Sequence, residues 1–212
     1  MGSDSVNKAV LLLVMAGAAA VLLLPKPVPP EDADDEPEYE EATALDEAAG
    51  YAQEVIDMVA PESPEVQDRN LAAFLWMLRV SEGTSGPDGY RTIVGGQLFS
   101  DYSRHPEVKV WLPALGIYST AAGAYQQIRR TWFGVRDKLG LPDFSPQSQD
   151  AAAVELIRQR GALADVKAGR FDVAVEKCKK EWASLPGAGY GQRENTLARL
   201  QSAYTTAGGY LA

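Results

Sequence analysis

Cysteine and histidine are almost missing from this 212-residue chain: each occurs once, as Cys178 and His105. One cysteine excludes an internal disulfide framework and a cysteine-based zinc site, and one histidine excludes the multi-histidine metal motifs. No metal and no cofactor are expected. A sustained basic stripe is missing too. Residues 65–212 hold 18 Lys and Arg against 15 acids, a net +3 that is too weak over this length for nucleic-acid binding. The overall charge of −9 comes from residues 1–64, where 14 acids face only Lys8 and Lys26. The chain reads as an acidic tether on a mildly basic body, and its 46% hydrophobic and 23% charged residues exclude wholesale disorder.

Polar residues are absent from Ala9 to Leu24, an apolar run of 16 residues. As a helix it spans roughly 24 Å, a little short of a hydrocarbon core of about 30 Å. With no polar stripe it does not read as a soluble core helix. Residues 1–8 then form a short cytoplasmic N-terminus, and 9–24 an uncleaved anchor in the inner membrane. The alternative is a cleaved signal peptide, with Ala16-Gly17-Ala18 as the small-residue site. The Ala/Gly-rich stretch from Ala16 to Ala20 weakens the anchor and leaves its slow release from the membrane open. Lys8 before the run sets the N-terminus inside and the body in the periplasm. Residues 25–43 are a linker: four prolines lie between Pro25 and Pro30, and eight of the eleven residues from Glu31 to Glu41 are acidic. Residues 44–64 read as a short connector, with a weakly amphipathic helix over 44–60.

From residue 65 to 212 the texture is that of a compact domain. Leu71, Leu75 and Leu78 recur at helical spacing with Phe74 beside them, predicting a helix over 65–82 that ends at Gly83. Ile93 to Phe99 reads as a small hairpin about Gly95-Gly96. A long helical stretch is expected from Ser119 to Leu139, stopped by Gly140. Ser145-Pro146 is a strong helix start, with Ser145 as N-cap, for a helix running to Arg160. Further helices are expected over Phe171–Trp182 and Glu194–Ala207. The class is α+β, mostly α.

Chemistry points first to Glu82. Eleven residues after Leu71, it returns to within about 20° of it on the helix wheel, which sets a carboxylate on the apolar stripe at the last turn. Burial and the negative end of the helix both favour the protonated acid, which is what a glycosidic leaving oxygen needs. The structural alternative is a Glu paired with an Arg or capping a loop. His105, before Pro106, reads as a turn residue rather than a triad base, and Cys178 as a small core residue. Arg129-Arg130 and Lys177-Lys179-Lys180 read as solvated helix faces. Gly187 to Gly191 lacks the strand and the Lys-Ser/Thr of a phosphate loop. Tyr190 within it suggests a wall for a flat ligand such as a sugar, or else a flexible turn.

Taken in order, these residues carry a resemblance. Ser81-Glu82-Gly83-Thr84, Gly89-Tyr90, Ile93-Val94-Gly95-Gly96, Leu98-Phe99 and Asp101-Tyr102-Ser103 resemble the phage lambda lysozyme family. So do His105-Pro106, Ser119-Thr120, Tyr125-Gln126, Leu139 to Asp150, Arg160 to Leu163, and Trp182 to Gln192. The resemblance covers roughly residues 70 to 208. It implies a lysozyme-like α+β fold with a cleft between a small hairpin lobe and a helical lobe. It implies cleavage of the β-1,4 bond between N-acetylmuramic acid and N-acetylglucosamine in peptidoglycan, by lytic transglycosylation to a 1,6-anhydromuramyl end. The family's catalytic glutamate maps onto Glu82. Carried over as substrate-binding are Tyr90, Ser119, Thr120, Tyr125, Gln126, Tyr190 and Gln192.

One departure matters. The family has an aspartate after the Gly-Tyr pair, where this chain has Arg91. Glycosidases that use water ordinarily need two carboxylates about the bond. The nearby acids, Asp88 and Asp101, have no motif that places them in the cleft, so one acid is expected to serve both proton transfers. A water-using muramidase and a non-cutting wall-binding virion protein are the alternatives. The expected partners are peptidoglycan strands and the inner membrane, with other virion proteins only in the virion-associated case.

Overall fold

Helix α1 (Pro64–Glu82) is the element on which the rest of the body is built. The structure, a computed structural model, describes residues 63–212. The apolar run 9–24, the linker 25–43 and the helix expected over 44–60 therefore lie outside the described residues. Among the described residues no helix is long and apolar enough to cross a membrane.

The buried line of α1 is Val66, Asn70, Ala73, Phe74, Met77, Leu78 and Ser81, spaced by three and four as a core-facing helix requires. It is rotated from the expected leucine stripe. Leu71 and Leu75 are half-buried along its edge, and Glu82 continues that edge row rather than the buried centre. The helix ends as expected at Gly83, which takes φ 74° while Thr84 N–H reaches back to the Arg79 carbonyl at 2.8 Å. Buried Asn70 ties the far end of the chain to α1: its Nδ2 donates to Lys167 O at 2.9 Å and its Oδ1 accepts from Tyr210 N at 2.7 Å.

The expected hairpin at 93–99 forms as a tight turn, Ile93 N–H to Gln97 O at 2.7 Å, with only an isolated bridge between Thr92 and Leu98. The regular sheet lies elsewhere. Strands β1 (Val110–Leu112) and β2 (Ile117–Ser119) pair antiparallel in the register Val110–Ser119, Trp111–Tyr118 and Leu112–Ile117. The Trp111 and Tyr118 rings pack across the ladder, centroids 5.0 Å apart.

The long helix expected from Ser119 is shorter. Helix α2 spans Arg129–Leu139 and stops at Gly140 with φ 66°. The stretch before it turns back on itself through the bridge Ala122–Gln127. Gly123 at φ 79° and Gln126 at φ 46° are left-handed, which no continuing helix tolerates. A Cβ on Gly123 would stand 2.2 Å from Gln149 Oε1. Helix α3 (Pro146–Gln159) starts as expected, with Ser145 accepting from Ser148 N–H and Pro146 in the first turn. A five-residue α4 (Leu163–Lys167) follows. Helix α5 (Phe171–Cys178) ends before Trp182, and α6 (Leu197–Thr206) is capped by Thr196.

Two aromatic centres hold these pieces. Phe144 meets Trp132 (4.6 Å), His105 (4.8 Å) and Phe99 (5.7 Å), while Phe171 bridges Phe74 and Tyr204. His105 is a buried brace. Its Nδ1 accepts from Glu107 N–H at 3.1 Å, so the proton sits on Nε2, which donates to Gln127 O at 3.0 Å. Burial pushes its pKa down and keeps it neutral. Cys178 is fully buried, and burial pushes its thiol up to about 12, which removes it as a nucleophile.

Candidate active site

The last residue of α1 stands where two cavities meet, one of about 390 Å³ and one of about 470 Å³. Glu82, Val94, Gln126 and Gln192 line both, so the two volumes are arms of one groove. The first arm runs between the sheet (Leu112, Ser119) and the segment carrying Trp182 and Tyr190. The second runs past Gly95-Gly96 toward Arg193, Asn195 and Arg199.

Burial raises the Glu82 carboxyl from 4.5 to about 7, against the lowering effect of a hydrogen bond from Ser184. That bond is short: Ser184 Oγ donates to Glu82 Oε1 at 2.6 Å. Ser184 is itself held by Ser81 Oγ at 2.7 Å, and Asn195 Nδ2 reaches Ser81 Oγ at 3.2 Å and Ser81 O at 3.1 Å. With Ser184 spending its hydrogen on the carboxylate, Ser81 donates to Ser184 and Asn195 to Ser81. The donors run in one direction, from Asn195 to the acid. Neither Asp88 nor Asp101 lines the groove. Asp88 pairs with Arg91 at 3.6 Å, and Asp101 accepts from Ser103 N–H at 2.8 Å. Among the described residues the acids that do line it are Glu82 and Glu181. Glu181 is committed to Arg160, whose Nε and Nη2 both reach its Oε2, at 2.9 and 2.6 Å.

The expected binding residues divide. Gln126, Gln192, Tyr190, Ser119 and Tyr125 line the groove; Tyr90 and Thr120 line neither arm. Gln126 spends its amide hydrogens on Thr92 O (3.1 Å) and Gly123 O (2.9 Å), which leaves its amide oxygen as the group it offers. Tyr190 is half exposed, with its hydroxyl donating to Lys180 O at 3.0 Å. The glycine-rich turn that carries it is clamped by Glu194, which accepts from Gly187 N–H and Gly189 N–H, both at 2.8 Å. Tyr125 is buried and donates to Asp150 at 2.6 Å. Tyr90 donates to the same carboxylate at 2.8 Å, with the Arg79 guanidinium 4.5 Å over its ring. The two hydroxyls thus converge on Asp150, Tyr125 from the wall of the first arm and Tyr90 from outside the groove. Thr120 Oγ1 accepts from Arg129 N–H at 3.0 Å, at the start of α2.

Ser184, Asn195 and Glu181 were not anticipated as site residues. Ser184 and Glu82 are 102 positions apart, and no local pattern marks their meeting. Gln127 carries no sequence signal either. It lines the first arm, is 5% exposed, and neither atom of its amide has a hydrogen-bond partner among the described residues.

A mostly helical body with a small antiparallel sheet, and a groove with one protonatable carboxyl at its waist, define a lysozyme-like enzyme. Comparison with known proteins makes this specific. A family profile described as Endolysin matches residues 72–211. The endolysin of Escherichia phage P2 is 50% identical over 156 residues, covering 66% of this chain and 94% of the P2 protein. The endolysin of Escherichia phage lambda is 49% identical over 144 residues, covering 65% and 90%. Bacteriophage lambda lysozyme complexed with a chitohexasaccharide superposes with a TM-score of 0.64 at 44% identity, over 68% of this chain and 97% of that one. A second structure of lysozyme from bacteriophage lambda gives a TM-score of 0.62 at 45% identity, over 68% and 97%. The chain belongs to the endolysin family.

Proposed function

We propose that this protein degrades peptidoglycan as a lytic transglycosylase, cutting the β-1,4 bond between N-acetylmuramic acid and N-acetylglucosamine. The observation that carries the reading is the pairing state of the two acids in the groove. Glu82 is held protonated near neutrality, while Glu181 is locked to Arg160. Protonated Glu82 gives its proton to the glycosidic oxygen as the bond to the anomeric carbon breaks. The oxocarbenium-like centre is stabilised by the sugar's own N-acetyl oxygen. Glu82, now a carboxylate steadied by Ser184, takes the proton of the muramic 6-hydroxyl, whose oxygen closes on the anomeric carbon. The products are a 1,6-anhydromuramyl end and a free 4-hydroxyl; no water is consumed and Glu82 ends protonated.

A water-using muramidase is the second reading, favoured by the presence of Glu181 as a second carboxylate on the groove wall. Mass analysis of muropeptides released from purified sacculi separates the two. Anhydro ends that resist borohydride support transglycosylation. Reducible ends, together with loss of activity in Glu181→Gln, make water the nucleophile.

We further read residues 9–24 as holding the protein at the inner membrane, with the body on the periplasmic side beside its substrate. Lys8, in the short flank before that run, supports this orientation. Protease added outside spheroplasts digests the body in this arrangement, and protection of the body reverses it.

A further inference from the structure

The two arms of the groove differ in charge. In the first, Arg160 is neutralised by Glu181, and the one remaining cation among the described residues is Lys180, whose Nζ donates to Ala188 O at 2.9 Å. In the second, Arg193 and Arg199 line the wall, and among the described residues neither guanidinium has an ion-pair partner. The acid that lines this arm is Glu82, which carries a proton near neutrality, so the field here is positive. Both arginines line the second arm alone, not the stretch around Glu82, Val94, Gln126 and Gln192 that the two arms share. They are set to meet a part of the substrate other than the scissile bond. Gly95 and Gly96 line the same arm, and nothing stands within 4 Å of where a Cβ on Gly96 would be. Arg199 also sits in the first turn of α6, whose N-terminal end adds partial charge of the same sign.

We propose that the second arm is a carboxylate-binding subsite in which Arg193 and Arg199 receive the acidic peptide branches of the glycan strand. Guanidinium forks match carboxylates bidentately, and the sugar rings carry none: in an intact strand the muramic lactyl carboxyl is tied up in the amide to the peptide, so the anions sit on the peptides. The enzyme is thereby selective for peptide-bearing strands over stripped ones. This rests on the reading of the groove as a peptidoglycan site, and the test separates the two.

The experiment compares the full chain with Arg193→Gln/Arg199→Gln on soluble glycan strands that carry their peptides and on the same strands stripped by an amidase, with the lactyl carboxylates this frees blocked as methylamides. The expected result is a wild-type KM about tenfold lower for the peptide-bearing strands, a preference that collapses toward unity in the double variant. Arg193→Lys/Arg199→Lys keeps the charge and restores part of it. A ratio of the two KM values that is the same in wild type and double variant overturns the subsite while the glycan-cutting reading stands. Failure of the wild type to cut either strand overturns that reading and the subsite with it. Binding supplies a second measure. In a Glu82→Gln background, a muramyl tripeptide with free carboxylates is expected to bind at least fivefold more weakly once both arginines are replaced. Equal binding overturns the proposal.

Discussion

Replacing Glu82 with glutamine sets activity against stability, and the size of each effect follows from the geometry. Burial lifts the carboxyl from 4.5 to about 7 even though Ser184 donates to it. A displacement of roughly 2.5 pH units is worth about 3 kcal/mol between the two protonation states. The sign follows from proton binding. Between 4.5 and about 7 the folded protein holds the proton and the unfolded chain does not, so stability falls as pH rises through that window. Above it the wild type bears the full cost of a buried carboxylate; below 4.5 it bears none. Glutamine keeps the shape and an oxygen for Ser184 to reach, and it is neutral throughout. Glu82→Gln is therefore expected to match the wild type at pH 4.5 and to exceed it by about 3 kcal/mol at pH 8. For a body of this size that is roughly 6–12 °C in Tm.

The same substitution removes the only proton carrier in the proposed mechanism, so sacculus clearing is expected to fall by about 10²–10⁴-fold. Thermal melts of both proteins at pH 4.5, 6 and 8, alongside turbidity assays, measure the two effects together. Melts that run parallel at every pH show that the carboxyl is not desolvated. A variant that clears sacculi at a tenth of the wild-type rate removes Glu82 from the chemistry.

Ser184→Ala withdraws the one group that lowers the Glu82 pKa. The alkaline limb of kcat/KM is expected to move upward by about one pH unit, since a hydrogen bond to a charged group is worth about 1.5–3 kcal/mol and water replaces part of it; a downward move refutes the assignment. Glu194 is held below its ordinary pKa by backbone hydrogen bonds from Gly189 and Gly187. Its clamp is therefore present above the usual carboxylate range and lost as pH falls through the lowered folded value. Glu194→Gln is expected to raise KM several-fold at constant kcat and to speed amide exchange over 187–191; unchanged exchange shows that the turn is held otherwise. Gly123→Ala places a methyl in left-handed backbone against the Gln149 carbonyl, and chemical denaturation should show a loss of about 2–4 kcal/mol.

What the sequence discloses about this fold is what its local chemistry determines. The end of α1 at Gly83, the start of α3 at Ser145-Pro146 and the stop at Gly140 are written in capping and left-handed residues, and the structure places them there. The sheet is not written that way. Its strands are three residues each, and Trp111 and Tyr118 face solvent, so no alternation of buried and exposed residues marks them. The segment from Ser119 to Ile128 reads as helix because of its alanines. Tertiary contact overrides that tendency, through the Gln149 side chain accepting from Ala124 N–H at 2.8 Å and donating to Tyr90 O at 2.9 Å. At the site, Glu82 is legible because its position on α1 follows from helical arithmetic. Tyr90 and Tyr125 are legible only as polar aromatics; that both turn to Asp150 depends on a helix 25 to 60 positions away.

The acidity of Glu82 and the position of the groove wall rest on the same hydrogen bonds. Ser81 and Glu82 are adjacent in α1, about 100° apart around the axis; Ser81 is the more buried, and both line the second arm. Ser184 touches both, and Asn195 ties Ser81 to Ser184 through its side chain while its own N–H donates to Ser184 O at 2.8 Å. The segment from Ser184 to Asn195 carries Tyr190, Gln192 and Arg193, so its placement against α1 is set by the donors that hold the carboxyl below the pKa that burial alone would impose. A displacement of this wall would remove the Ser184 donor and raise the pKa further, making Glu82 a weaker proton donor in the first step and upsetting the near-neutral balance that lets one carboxyl give a proton and then take one. Both halves of a two-proton mechanism need Ser184 where it is. A structural glutamate would need it for neither.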